Sequence, residues 1–141
     1  MAAPTGKLTA IPAQLLGFAT RPVPRLGLAI AFSAAIYYSS SRTTLPVQIR
    51  PGLDKIIHAI SYFLLGLSYF NVTTRGLIQT TPTRVILAWV GGVMFAASDE
   101  WHQSYVPGRT PDILDLLADA GGITLAVGVC LWGVSMSRRT L

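Results

Sequence analysis

Residues 56–74, IIHAISYFLLGLSYFNVTT, run from Lys55 to Arg75 without an acid, a lysine or an arginine. A helix needs about 20 mainly apolar residues to cross a bilayer core ~30 Å thick, and this interval meets that length. It predicts a transmembrane helix, so the rest of the chain is read by searching for similar intervals.

Three more emerge. Leu26 to Ser41 lies between Arg25 and Arg42; it is short, and it borrows a turn from Val23 and Pro24 or from flanks whose arginines can snorkel. Val85 to Ser98 follows Arg84 and is too short alone, so a full span continues through Asp99, Glu100, Trp101, His102 and Gln103, drawing two acids to the membrane edge. Ala120 to Ser137 precedes Arg138. Its helix is expected to begin earlier, at Thr110-Pro111-Asp112, where Thr110 suits the N-cap and Pro111 the first helical position.

The expected fold is all-α: a polytopic membrane protein, a bundle of four transmembrane helices over residues 25–141, preceded by a cytoplasmic or interfacial arm, residues 1–24. Pro12 interrupts the apolar stretch Leu8 to Phe18 and no small-residue cleavage site follows, so the arm does not read as a signal peptide. Pro22-Val23-Pro24 would stop any helix in the arm before the first span.

Composition agrees. The chain has 141 residues, 51% of them hydrophobic and 12% charged, about half the charged fraction of ~25% usual in soluble domains. Six acids and eleven bases are too few to coat a soluble domain of this size, whereas a bilayer accepts apolar surface on every side. The net charge of +5 does not point to nucleic acid, because the bases are scattered singly and form no stripe beyond Arg138-Arg139. With Cys130 the sole cysteine, no intramolecular disulfide can form.

Four spans segregate the charges. Lys7, Arg21, Arg25, Arg75, Arg84, Arg138 and Arg139 fall on one side with no acid, which the positive-inside rule makes cytoplasmic together with both termini. Arg42, Arg50, Lys55 and Arg109 fall on the outer side with all six acids. Three or five spans would break this segregation.

On that outer side the polar residues form stripes. Asp54, His58, Ser61, Tyr62 and Leu65 share one helix face; so do Asp99, His102 and Gln103, with Glu100 beside them; so do Asp112, Asp115, Asp119 and Gly122. Each ionisable group within a span costs about 2.5–3.5 kcal/mol on insertion scales, so three matched stripes predict a shared polar cavity rather than lipid contact. Simpler roles stand beside this reading. Asp54 and Asp112 suit a helix N-terminus by dipole alone. His58 is either a satisfied hydrogen-bonding residue or a group that titrates near neutral pH. Arg109, behind the Pro107-Gly108 turn, either pairs with Glu100 or Asp115 or offers its fork to an anion. Trp101 and Tyr105 suit interfacial anchors, and Gly91-Gly92 and Gly121-Gly122 suit close helix packing. No HExxH element or other established ligand spacing occurs, so no metal and no other cofactor is expected.

The stretch Asp99-Glu100-Trp101-His102-Gln103-Ser104-Tyr105-Val106-Pro107-Gly108-Arg109, followed by Asp115, Asp119 and Gly122, resembles the signature of VanZ-like membrane proteins. Asp54-Lys55-Ile56-Ile57-His58 resembles their earlier element, in the right order. The resemblance covers roughly residues 54–125. It implies a bacterial plasma membrane, and it puts the family's positions at Asp54, Lys55, His58, Glu100, Gln103, Arg109, Asp115 and Asp119; the family's founding member is associated with low-level resistance to the lipoglycopeptide teicoplanin, a phenotype that similarity alone does not transfer. At the last of these the family often has Asn. Where it commonly has an aromatic residue this chain has Ala59, which would loosen the packing there.

Three functional classes follow. The first is a binding module whose outward cavity takes a lipid headgroup, a cell-wall precursor or an amphiphilic glycopeptide, with membrane lipids as partners and homo-oligomers allowed. The second is a membrane-embedded enzyme acting on a lipid phosphate or acyl group, with Glu100 or His58 as general base and Arg109 stabilising negative charge. The third is a proton- or ion-coupled carrier.

Overall fold

The computed structural model describes residues 22–43, 52–75 and 79–139. These form four α-helices and no strand: α1 (Pro22–Ser40), α2 (Leu53–Thr73), α3 (Pro82–Gln103) and α4 (Ile113–Arg139). The prolines before the first interval do not stop α1. They form its first turn, where a missing N–H is tolerated. Gly52 enters α2 with a φ of 90°, a left-handed conformation that glycine adopts without steric penalty. Thr81 caps α3, its side chain accepting from the Arg84 amide, and Pro82 follows it. The continuation of α3 through Gln103 is as the sequence predicts.

The start of α4 differs from expectation. Neither Thr110 nor Pro111 opens it. Asp112 does, with its carboxylate accepting the Leu114 amide at 2.8 Å and its carbonyl accepting the Asp115 amide at 2.9 Å. An aspartate two residues before a free amide is the stronger N-cap. At the other end Arg138 and Arg139 lie in the last turn, where cations suit the helix dipole.

Two helices, α2 and α4, are long and apolar enough to cross a membrane. They also pack most closely. A Cβ on Gly122 would overlap the Ala59 carbonyl, and one on Gly66 would lie 2.9 Å from Cβ of Ala126. Backbone contact of this kind is what small residues permit between apolar helices. The backbone at Ala59 therefore packs closely against Gly122. Of the glycine pairs, Gly92 meets Ile123 and Gly122 meets α2, whereas Gly121 has nothing within 4 Å.

Tyr62, Leu65, Ala96 and Ile123 form one core cluster and Phe70, Ala88 and Val127 another. Between them they join α2, α3 and α4. α1 lies mainly against α2, and it meets α3 near its C-terminal end, where Ser40 bonds Asp99 and Tyr37 stacks on His102. The loop from α3 to α4 turns at Val106-Pro107-Gly108-Arg109. There the Arg109 amide donates to the Val106 carbonyl at 3.1 Å and Gly108 has a φ of 83°, the geometry of a type II turn.

Candidate functional site

This topology brings the C-terminal end of α1, the N-terminal end of α2, the C-terminal end of α3 and the N-terminal end of α4 together. All six acids lie there, in two groups. In the first, Lys55 on α2 is the hub: its ammonium donates to Asp112 and Asp115, each at 2.5 Å, and stands 3.1 Å from Asp54. One turn deeper, His58 Nδ1 pairs with Asp119 Oδ1 at 2.9 Å, and its Nε2 lies 3.9 Å from Asp115. Asp119 is 1% exposed. Glu100 reaches this group from α3, with Oε1 accepting the Asp112 amide, while its buried Oε2 has no hydrogen-bond partner among the described residues.

Asp99 centres the second group. It accepts from Ser40 of α1 at 2.5 Å, from Tyr62 of α2 at 3.2 Å and from Gln103, one turn on in α3, at 3.2 Å. Arg109 Nη1 donates to Gln103 Oε1 at 3.4 Å. A cavity of about 80 Å³ opens here, lined by Ser40, His58, Ser61, Tyr62, Asp99, Gln103 and Arg109 among others. That is room for several waters or for one polar ligand tip, since a single water needs roughly 10–15 Å³.

Each residue singled out in the sequence thus has a place. Asp54, Lys55, Asp112 and Asp115 form the cluster at the end of the bundle, half-buried His58 pairs with buried Asp119, Glu100 is a bridge to the loop, and Gln103 and Arg109 are a cavity wall. The stripe Asp54–His58–Ser61–Tyr62–Leu65 does face protein. His102 does not join the cavity. It bonds Ser41 at 3.0 Å and stacks on Tyr37 with centroids 4.4 Å apart. The ion pair considered for Arg109 does not form among the described residues. Its guanidinium instead donates to the carbonyls of Ser39, in the last turn of α1, and of Arg42, just beyond it, at the helix end where the dipole favours a cation.

Sequence reasoning undervalued two residues. Asp99 is the best-connected acid of the cavity, and its i, i+4 relation to Gln103 was the available signal. Ser40 carried none, because its role depends on how α1 docks.

Of the ionisable groups beyond the helices, Asp112 is displaced: the Lys55 ammonium beside it, helped by the Leu114 amide, holds its carboxyl below the usual carboxylate range. Among the described residues no three His, Cys, Asp or Glu side chains are arranged to hold a metal ion.

The class so defined is an all-helical protein with two helices able to cross a membrane and a polar centre gathered at one end. A family described as VanZ/LLP1 matches residues 12–134, and the chain belongs to that family. The match is wider than the two motifs, taking in all of α1 and part of the preceding arm. Family and helices together indicate a membrane protein. No curated protein and no solved structure gives a significant match.

Proposed function

We propose that the chain is a four-span protein of the plasma membrane, with both termini cytoplasmic, whose polar cavity at the outer end recognises the headgroup of an amphiphile. Membrane lipids, cell-wall precursors and amphiphilic glycopeptides share the required chemistry: hydroxyl, amine or anionic groups on an apolar body. The observation that carries this reading is an inversion of polarity. Asp99, Glu100, Gln103 and Asp119 are buried, while Ile30, Ile56, Met94 and Leu117, one on each helix, are all more than half exposed. Hydrocarbon around the bundle makes both halves favourable, and water would make neither so. In this reading α1 and α3 are spans as well, and the charge segregation orients the bundle.

Within the cavity Asp99 accepts hydrogen bonds from hydroxyl or amine groups, and Arg109 offers its remaining N–H groups to an anion. Native mass spectrometry of the gently extracted protein tests this. A lipid or precursor retained by wild type and lost from Arg109→Ala, with the variant still inserted, supports recognition; equal retention defeats it. Reporter fusions at the C-terminus test the orientation, which an outer location of that end would overturn.

A second reading has its own observation. His58 lines the cavity with Ser61 and Tyr62 while a buried carboxylate holds its Nδ1, an arrangement that fixes an imidazole as a general base. Turnover of a lipid phosphate or acyl ester that vanishes in His58→Gln supports an enzyme. No turnover across a lipid panel removes it.

A further inference from the structure

Apart from the polar cavity, the bundle has an apolar groove of about 590 Å³ between α1, α2 and α3, where α1 and α3 have little contact away from the Ser40–Asp99 and Tyr37–His102 pairs. That volume lies in the range of small-molecule pockets, roughly 300–1,000 Å³. Along α1 its wall passes through Leu26, Ile30, Ser33 and Tyr37, positions on one helical face. From Leu26 to Tyr37 the groove runs about 16 Å at 1.5 Å per residue, close to the ~15 Å of hydrocarbon in one leaflet.

Two observations and one physical argument favour an alkyl chain as the occupant. The side-chain hydroxyls of Ser33 and Tyr69 in the wall bond one another at 3.1 Å, so neither asks for a polar ligand. A peptide strand laid in such a groove would leave backbone groups unsatisfied in hydrocarbon, whereas an alkyl chain has none to satisfy. The groove also adjoins a polar mouth. Tyr37 and Phe95 line both the groove and a second pocket of about 330 Å³ that contains Asp99, Trp101, His102 and Tyr105. Trp101 and Tyr105 are exposed and meet edge to face with centroids 5.6 Å apart, the residue types that sit at headgroup level. Asp99 in turn lines the inner cavity.

We propose that this groove holds one acyl chain of a membrane phospholipid, with its headgroup in the Trp101–His102–Tyr105 mouth, so that the site is reached sideways from the bilayer between α1 and α3. The proposal rests on the headgroup-recognition reading and names its ligand as a lipid of the surrounding leaflet.

A phospholipid carrying a diazirine in mid-chain, incorporated in vesicles with the full-length protein, is the probe. After photolysis, adducts mapped by mass spectrometry should concentrate on the α1 and α3 walls of the groove. They should exceed severalfold those on the lipid-facing residues Leu117 and Leu125 of α4. Ala34→Trp, at an exposed position of the groove wall, should lower the groove adducts severalfold and leave the α4 adducts unchanged. Gly91→Leu is the second filling variant, since a Cβ there meets the Tyr69 ring only at 3.5 Å. Adducts of equal density on groove and α4, or labelling unaltered by both filling variants, overturn the proposal. A diazirine diacylglycerol separates this failure from that of the headgroup reading. Groove labelling equal for the two probes, and still lost on filling, keeps the groove and rejects headgroup recognition.

Discussion

His58 on α2 and Asp119 on α4, 61 residues apart in the chain, are joined through Nδ1 and Oδ1 at 2.9 Å with Asp119 almost wholly buried. The bond ties the two helices that are long enough to cross a membrane. An asparagine oxygen can accept the same N–H, and VanZ-like proteins often have Asn here. Asp119→Asn is therefore expected to keep the thermal midpoint in detergent within a degree or two of wild type. Asp119→Leu leaves His58 without its partner and should cost about 1–2 kcal/mol. Equal losses in the two variants would mean that charge, not the hydrogen bond, is required.

Gly122 and Gly121 are neighbours with opposite surroundings. A Cβ on Gly122 would enter the Ala59 carbonyl, while one on Gly121 has nothing within 4 Å. Gly122→Ala should force α2 and α4 apart at a cost of about 1–3 kcal/mol, the usual scale of overpacking. Gly121→Ala should be neutral or stabilising by up to ~1 kcal/mol, because alanine restricts the unfolded chain. Unfolding in mixed micelles checks the pair. Equal destabilisation would refute the close approach.

The legible part of this molecule was what periodicity and charge spacing encode. The helix order, the extension of α3 past Asp99 to Gln103, and the inward face of the Asp54–Leu65 stripe all follow from rules one or two turns long. Lys55 as hub, Ser40 beside Asp99 and the carbonyl partners of Arg109 were not legible. Each depends on which ends of distant helices meet, and no local pattern records that. The misplaced start of α4 has a local cause: Thr110-Pro111 and Asp112 both suit a cap, and the shorter reach from the Asp112 carboxylate to the Leu114 amide prevails.

Arg109 is expected to act on α1 before it acts on any ligand. Its guanidinium reaches the Ser39 and Arg42 carbonyls and the Gln103 side chain at 3.3–3.4 Å, a spread that a lysine ammonium cannot span. In Arg109→Lys the amides of residues 39–42 should exchange faster by up to about tenfold, the factor that ~1.4 kcal/mol sets. Amides of the Tyr62–Phe70 segment in α2 should be unchanged. Hydrogen exchange by mass spectrometry reads both, and unchanged protection at the end of α1 would show that the contacts of Ser40 with Asp99 and of Tyr37 and Ser41 with His102 hold that helix without Arg109.

Asp112 supplies the pH dependence. Its carboxyl lies ahead of α4, bonded to the Lys55 ammonium and the Leu114 amide, both of which lower its pKa from the ordinary 3.8. A carboxyl whose folded value lies below its unfolded one binds protons more readily in the unfolded chain. Its stabilisation is complete above about 3.8 and is lost as pH falls through the folded value. Asp112→Asn should therefore melt below wild type near neutral pH, and the gap should close under acid conditions. High salt should narrow the gap at neutral pH, because the side chain is 38% exposed and such pairs are screened. Melting curves across pH at two ionic strengths test both statements. A gap that persisted in acid would assign the role of Asp112 to helix capping by a neutral side chain, because asparagine would then be deficient for reasons of geometry and not of charge.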